Sequence, residues 1–176
     1  MEDRKPDALL TAARVLVIIG KVIAITVAVI LALVMVALLV RQGDVMAQLA
    51  EQGIKAEGWE VLTAIELVLG TATAMLIMAY EWLKALLAMI DSVSLGDPFV
   101  PENADRLTRM GWLTIAINVV AIPAGGIAAW LAANVKDADA DFGFSIGGIL
   151  LALVLFILAR VFRQGAAMRQ DLEETV

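Results

Sequence analysis

The sequence contains no cysteine and no histidine. Their absence excludes disulfide bonds, thiol nucleophiles, imidazole bases and the ligands that zinc, copper and haem usually use. No G-x-S-x-G, H-E-x-x-H or P-loop motif is present, and no basic stretch with interleaved aromatic residues suggests direct contact with nucleic acid. We therefore predict a protein that is not an enzyme and that uses no cofactor and no metal ion.

Charge is also scarce. Charged residues make up 18% of the chain and hydrophobic residues 61%, and the mean hydropathy is +0.88. A soluble domain usually has about 25% charged and about 45–50% apolar residues. The composition therefore indicates an integral membrane protein, and a length of 176 residues predicts a single transmembrane domain.

The longest apolar run covers residues 15–40 and is interrupted only by Lys21. A helix crosses a bilayer with about 20 apolar residues, whereas the apolar part of a signal peptide has only about 7–15. The run therefore predicts a membrane-spanning helix. Three further runs follow, and the predicted fold is all-α, a four-helix transmembrane bundle with spans at about 15–40, 61–83, 112–133 and 142–162.

The segments between the spans carry most of the turn-forming and charged residues. Residues 44–60 predict a short helical extension that breaks near Gly53 and Gly58. Residues 91–110 form a loop in which Pro101 suits the first turn of a helix that continues into the third span. Residues 163–176 predict a charged helical tail.

The distribution of Lys and Arg predicts which side of the membrane each loop faces. Nine of these residues lie in the N-terminal segment, the 91–110 loop with its flanks, and the tail, whereas the other two loops hold three. Basic residues favour the cytosolic side, so we expect both termini and the 91–110 loop to be cytosolic.

Small residues recur at four-residue spacing in two spans. Two such ladders are present: Gly20, Ala24, Ala28 and Ala32 in the first span, and Ala121, Gly125, Ala129 and Ala133 in the third. Small residues let membrane helices approach closely. The ladders predict packing faces inside the chain or in a homo-oligomer, and a purely structural subunit of a larger membrane assembly is one interpretation of them.

Polar residues inside spans are costly in lipid and are candidate functional residues. Four such residues are present: Lys21, Glu66, Glu81 and Asn118. Lys21 could pair with Glu81 at similar depth, or extend its ammonium group to the headgroups. Glu66 lies near the opposite membrane face, where Arg41 could reach it, and an inward-facing carboxylate there would suit a proton or cation carrier.

The acidic residues Asp137, Asp139 and Asp141 alternate as in the start of a calcium-binding loop. The glycine comes one position late, however, and Gly148 stands where a closing glutamate would be needed. This pattern is typical of a solvated turn, and we predict no metal site.

Two segments outside the spans carry distinctive motifs. One is Gly96-Asp97-Pro98-Phe99-Val100-Pro101-Glu102-Asn103 followed by Arg106-Leu107, and the other is Val161-Phe162-Arg163-Gln164-Gly165 through Val176. With four spans, the chain resembles a bacterial four-span membrane family of unknown function, the YoaS-like proteins. The resemblance implies the bacterial inner membrane, and it implies a small helix-turn-helix transcription regulator as partner, because that family is often paired with one.

The cytosolic motifs predict where such a partner would bind. The candidate partner-binding residues are Asp97, Phe99, Glu102, Asn103, Arg106, Asp171 and Glu173. Their acidic bias would suit a basic DNA-binding protein, although surface charges often only solvate helix ends. We therefore expect a regulatory or sensing membrane protein, with a small transporter or an export or immunity component that uses Glu66 and Lys21 as the alternative.

Overall fold

The structure is a computed structural model that describes residues 8–51, 58–135 and 145–174. It has five α-helices, and no strand occurs within those ranges. The helices are α1 (Ala8–Val40), α2 (Gln42–Glu51), α3 (Gly58–Ser94), α4 (Pro101–Asn134) and α5 (Ile146–Glu174). The predicted all-α class is confirmed, as are the helical extension after the first span and the helix that begins at Pro101.

Four of the helices are long and apolar enough to cross a membrane. In the most apolar 18-residue window of each, only 11% to 22% of the residues are buried inside the protein, so most apolar side chains face outward as they would in lipid. These helices fit a four-span membrane protein. With 37 residues, α3 measures roughly 55 Å at about 1.5 Å per residue, well beyond a hydrocarbon core of about 30 Å.

The predicted spans lie inside these four helices, with one exception at an end. The fourth was predicted to start at residue 142, which lies outside the described residues, and α5 begins at Ile146. The third span contains Pro123, where the sequence predicts a kink or a freed carbonyl, and α4 remains helical through this position.

The helices contribute to two compact units. Among the described residues, unit 1 contains 8–23, Ala79–Ile115 and the part of α5 from Ile146 onward, and unit 2 contains Ala24–Met78 and Ala116–Ser145. That the chain is a single transmembrane domain stays a prediction.

In unit 1, α1 and α3 pack antiparallel. Gly20 lies against Leu83, at 3.4 Å from the position that a Cβ would take. Nearer the start of α1 and the end of α3, Arg14 Nε is 3.4 Å from Asp91 Oδ1. The residue numbers rise on α1 as they fall on α3, which is the pattern of an antiparallel helix pair.

The core of unit 1 lies among α3, α4 and α5. Its buried residues are Ala85, Leu107, Met110, Leu155 and Ala159. Beside this core, Trp82 Nε1 donates a hydrogen bond of 3.2 Å to Thr114 Oγ1, and Thr114 in turn donates to the Met110 carbonyl at 2.8 Å. The Trp82 N–H and the Thr114 hydroxyl are therefore both hydrogen-bonded between two apolar helices, as polar groups in a low-dielectric interior usually are.

In unit 2, α1 and α3 are again in contact. Met35 Sδ on α1 lies 3.8 Å from the position of a Cβ at Gly70 on α3. The Asn118 side chain, predicted as the polar residue inside the third span, accepts a hydrogen bond of 3.2 Å from the backbone N–H of Ser145. Asn118 therefore binds the backbone just ahead of α5.

The two small-residue ladders differ in the structure. On α1, Ala24 and Ala28 are buried, so the first ladder is a packing face as predicted. On α4, Ala121 is buried but Ala129 is exposed. The prediction that the second ladder forms one continuous packing face is therefore wrong. Burial there follows Ala121, Ala124 and Ala128 instead, because an alternation of three and four residues stays on one side of a helix while a strict spacing of four drifts around it.

Gly111 on α4 gives a direct test of the packing in unit 1. A Cβ at this position would lie 2.8 Å from Phe156 Cε1, whereas a Cβ at Gly126 on the same helix would meet nothing within 4 Å. We expect Gly111→Ala to reduce the free energy of unfolding by about 1–3 kcal/mol through overpacking. Gly126→Ala should raise it by about 0.5–1 kcal/mol, the usual gain from replacing a helical glycine.

Thermal unfolding of the two variants in the same detergent provides the measurement. Equal melting temperatures for Gly111→Ala and Gly126→Ala would contradict the close approach of α4 and α5.

Candidate functional site

The loop that connects α3 to α4 begins with a well-defined helix end. Gly96 has a φ of 89°, a left-handed conformation that glycine adopts without steric cost. The Gly96 N–H donates to the Val93 carbonyl at 3.0 Å and the Asp97 N–H donates to the Ser92 carbonyl at 3.2 Å. This pair of bonds is the Schellman motif, and it fixes the direction in which the chain leaves α3.

The side chain of Asn103 holds the other end of the loop. It is completely buried, and its Nδ2 donates to Ser92 Oγ at 2.7 Å and to the Pro98 carbonyl at 2.9 Å. One amide group therefore joins the end of α3, the middle of the loop and the first turn of α4. In this conformation Asn103 lies beneath the surface, so any part it has in partner binding is to position the loop.

Arg106 completes this network from the next turn of α4. Its Nη1 donates to Asn103 Oδ1 at 2.7 Å and to the Ala88 carbonyl at 3.3 Å. The guanidinium group thus uses two of its hydrogen bonds within the protein. The sequence predicted Arg106 as a partner-binding residue, and in the structure it stabilises the α3–α4 connection.

Phe99 projects from this loop onto α5. Its ring lies 5.3 Å from the ring of Phe162, at an interplanar angle of 40°. A Cβ at Gly165 would be 2.7 Å from Phe99 Cδ1, so the absence of a side chain at Gly165 gives the ring its place. The two sequence motifs, one in the loop and one in α5, therefore pack against each other.

Two ion pairs accompany this packing. Arg169 Nη1 on α5 bonds Asp97 Oδ1, and Arg163 Nη2 lies 3.2 Å from Asp105 Oδ1 on α4. Because these side chains are largely exposed, each pair adds little to stability. We call the set of Asp97, Phe99, Phe162, Gly165 and Arg169 the loop–α5 contact.

The remaining predicted partner-binding residues lie at the edge of this contact. Glu102 is exposed in the first turn of α4, and in the part of the chain that the structure describes it forms no ion pair. Asp171 is exposed on α5. The backbone of Glu173 is helical, and its side chain lies outside what is described.

Lys21 and Glu81, the predicted polar span residues of unit 1, do not pair with each other. The Lys21 ammonium lies 5.2 Å from the centre of the Tyr80 ring, while Glu81 pairs with Arg109 at 2.8 Å and with Lys84 at 3.6 Å. The interpretation of Lys21 as the partner of Glu81 is therefore wrong, because Arg109 of α4 reaches that carboxylate.

Glu66 has no such partner. Its Oε1 is buried and makes no hydrogen bond among the described residues, and no ion pair with Arg41 forms there. Within the same ranges no group of three potential metal ligands exists, and Asp137, Asp139 and Asp141 lie outside them.

The sequence alone did not predict a role for several residues of the structure. Gly165 and Phe162 belong to a distinctive motif but had no predicted role of their own, and no role was predicted for Ser92 and Trp82. A glycine in the middle of an amphipathic helical stretch was the one available signal, since such a residue is costly unless something packs against it.

The burial of Asn103 predicts a large effect on stability. Asn103→Ala removes both donors and leaves Ser92 and Arg106 without this partner, and we expect a loss of about 1–3 kcal/mol in the free energy of unfolding. Asn134→Ala, which removes a single local bond from Asn134 Nδ2 to the Trp130 carbonyl, is the matched control and should cost less than about 1 kcal/mol. Detergent-phase thermal melts compare the two, and an equally small loss for both would contradict the assigned network.

Comparisons with known proteins give one match. A search of curated proteins and a search of solved structures find no protein similar to this chain. A family model described as "Protein of unknown function (DUF2975)" matches residues 44–176, which includes the loop, α3, α4 and α5. The expected resemblance to a four-span membrane family of unknown function is thereby confirmed, while the YoaS-like name stays an expectation. The chain belongs to the DUF2975 family.

Proposed function

We propose that this chain is a non-enzymatic regulatory membrane protein that binds a small helix-turn-helix transcription regulator. The binding surface would consist of Leu95, Phe99, Glu102 and Met168, on the side that the Lys and Arg distribution predicts to be cytosolic. The observation that carries the proposal is the exposure of large apolar side chains in a segment otherwise rich in charge.

Leu95 and Met168 are the most exposed of these apolar side chains. Leu95 is 85% exposed and Met168 is 63% exposed. Both lie in segments that also carry charged residues, namely Asp97, Asp105, Arg163 and Arg169. Lipid tails are not expected to cover such segments. Exposed apolar side chains with a polar rim are typical of protein interaction surfaces.

The rigidity of the loop also favours a binding role. The Schellman turn, the Asn103 network and the loop–α5 contact all fix residues 95–103. A surface that is already ordered loses little conformational entropy on binding, which favours affinity.

The charge pattern changes the expected mode of recognition. Asp97 and Asp105 are already paired with Arg169 and Arg163, so they do not offer an acidic surface to a basic partner. Glu102 is an exposed acid of this region that forms no ion pair among the described residues. We therefore expect apolar anchoring by Leu95, Phe99 and Met168, with Glu102 selecting a basic residue of the partner.

The test is a pull-down of the tagged full chain from membranes of its own host, with bound proteins identified by mass spectrometry. We expect a small helix-turn-helix protein to co-purify, to be lost with the double variant Leu95→Gln and Met168→Gln, and to be retained with Leu9→Gln. Leu9 is an equally exposed leucine at the start of α1, so it controls for the change in surface polarity. Transcription from the regulator's promoter should change with the double variant alone.

A second candidate function is transport, which the unpartnered Oε1 of Glu66 favours. The transport alternative also uses Lys21, which belongs to unit 1, whereas Glu66 belongs to unit 2. A pull-down with no soluble partner, together with a solute flux in proteoliposomes that Glu66→Gln abolishes, would contradict the regulatory proposal and support this one.

A further inference from the structure

Unit 2 contains an open groove between the beginning of α3 and the end of α4. Its volume is about 440 Å³, and the residues that line it include Trp59, Glu60, Leu67, Gly126, Ile127 and Trp130. On each helix these positions follow helical spacing and share one face. The volume lies within the range of roughly 300–1,000 Å³ that is typical of small-molecule sites.

One end of the groove combines two indole rings and a carboxylate. Trp59 and Trp130 are both exposed large apolar residues that line the groove, and Glu60, which follows Trp59 in the first turn of α3, lines it too. The face of an indole ring attracts cations, and aromatic side chains that line a site favour quaternary ammonium groups. Within the described ranges Glu60 forms no ion pair, so its charge is complementary to a positively charged ligand.

The helix dipole alone accounts for an acidic residue in a first turn, and Trp residues are common at membrane interfaces. All three side chains nevertheless line the same groove. Glu102, the first-turn acid of α4, has no tryptophan next to it in sequence and is therefore a useful comparison.

The other end of the groove is apolar. Leu67 and Ile127 line it, and Leu67 is seven residues after Glu60, or about 10 Å further along the helix. At Gly126 nothing lies within 4 Å of the position that a Cβ would take, so the groove is open there. The polarity of the groove thus changes along its length from charged and aromatic to aliphatic.

We infer that this groove binds an amphiphilic ammonium ion, a cation with a single alkyl tail. The ammonium group lies between the indole rings and the Glu60 carboxylate, and the tail follows Leu67 and Ile127 past Gly126. The inference is independent of the regulatory function proposed above, because it uses none of the residues of the loop–α5 contact.

The test is saturation binding of radiolabelled dodecyltrimethylammonium to the purified full chain in a non-ionic maltoside detergent. We expect saturable binding that Glu60→Gln weakens by about tenfold, since the loss of a charge contact of about 1.4 kcal/mol corresponds to that factor. Glu102→Gln should leave binding unchanged. Gly126→Leu, which fills the groove, should abolish binding, whereas Ala129→Leu, on an exposed position of the same helix outside the groove lining, should not.

Two competitors test what the groove recognises. One tests whether the charged head is needed in addition to the tail, and the other tests whether a lipid binds in place of the free amphiphile. A neutral dodecyl ethoxylate should fail to displace the probe at equal mole fraction, and so should phosphatidylethanolamine. Displacement by the ethoxylate would show that the groove selects only an alkyl chain, and displacement by phosphatidylethanolamine would assign it to a lipid headgroup. Either result would overturn the inference, as would equal binding by the wild type and Glu60→Gln.

The variants must be folded for these comparisons to hold. Circular dichroism and size-exclusion profiles identical to those of the wild type establish this for Glu60→Gln and Gly126→Leu. If Gly126→Leu does not fold, Trp130→Leu replaces it as the variant that should lose binding, because it removes one of the two rings and fills no space.

Discussion

The Phe99 ring packs against Gly165. In unit 1, the position of the α3–α4 loop on α5 depends on this contact. It joins a loop between two helices to a third helix that is more than 60 residues away in sequence. Ser92, Asn103 and Arg106 order the loop from within, and the Phe99 ring packs it onto α5. The ion pair between Asp97 and Arg169 then forms beside it, because the two backbones are already held close together.

This arrangement changes the meaning of the two conspicuous motifs. Residues 96–103 and 161–165 look like a recognition surface in the sequence, yet many of their side chains bind one another. The proposed partner would bind the outer side of the contact, with Leu95, Phe99, Glu102 and Met168. Binding there is compatible with lipid as the solvent for the four long helices, because the same segments carry the charged residues that lipid excludes.

The sequence predicts the helices well and their contacts poorly, for a physical reason. Membrane-spanning helices follow from the length of apolar runs, and the start of α4 follows from Pro101, so both can be predicted locally. Which carboxylate Arg109 reaches depends on helix rotation, and one of the two interpretations of Lys21 accordingly used a carboxylate with which Arg109 pairs. Likewise, the need for a glycine at position 165 becomes clear only from the position of the Phe99 ring against it. Asn103 was predicted as a surface residue because buried and exposed asparagines look alike in a sequence.

The most direct test of the loop–α5 contact uses the absence of native cysteine in the chain. Asp97→Cys combined with Arg169→Cys should give rapid crosslinking within one chain when membranes are treated with a short bifunctional thiol reagent. Asp97→Cys combined with Arg160→Cys, where the second position is nine residues or about 14 Å away along α5, should react far more slowly. Equal rates for the two pairs, or links only between separate chains, would contradict a loop held on α5.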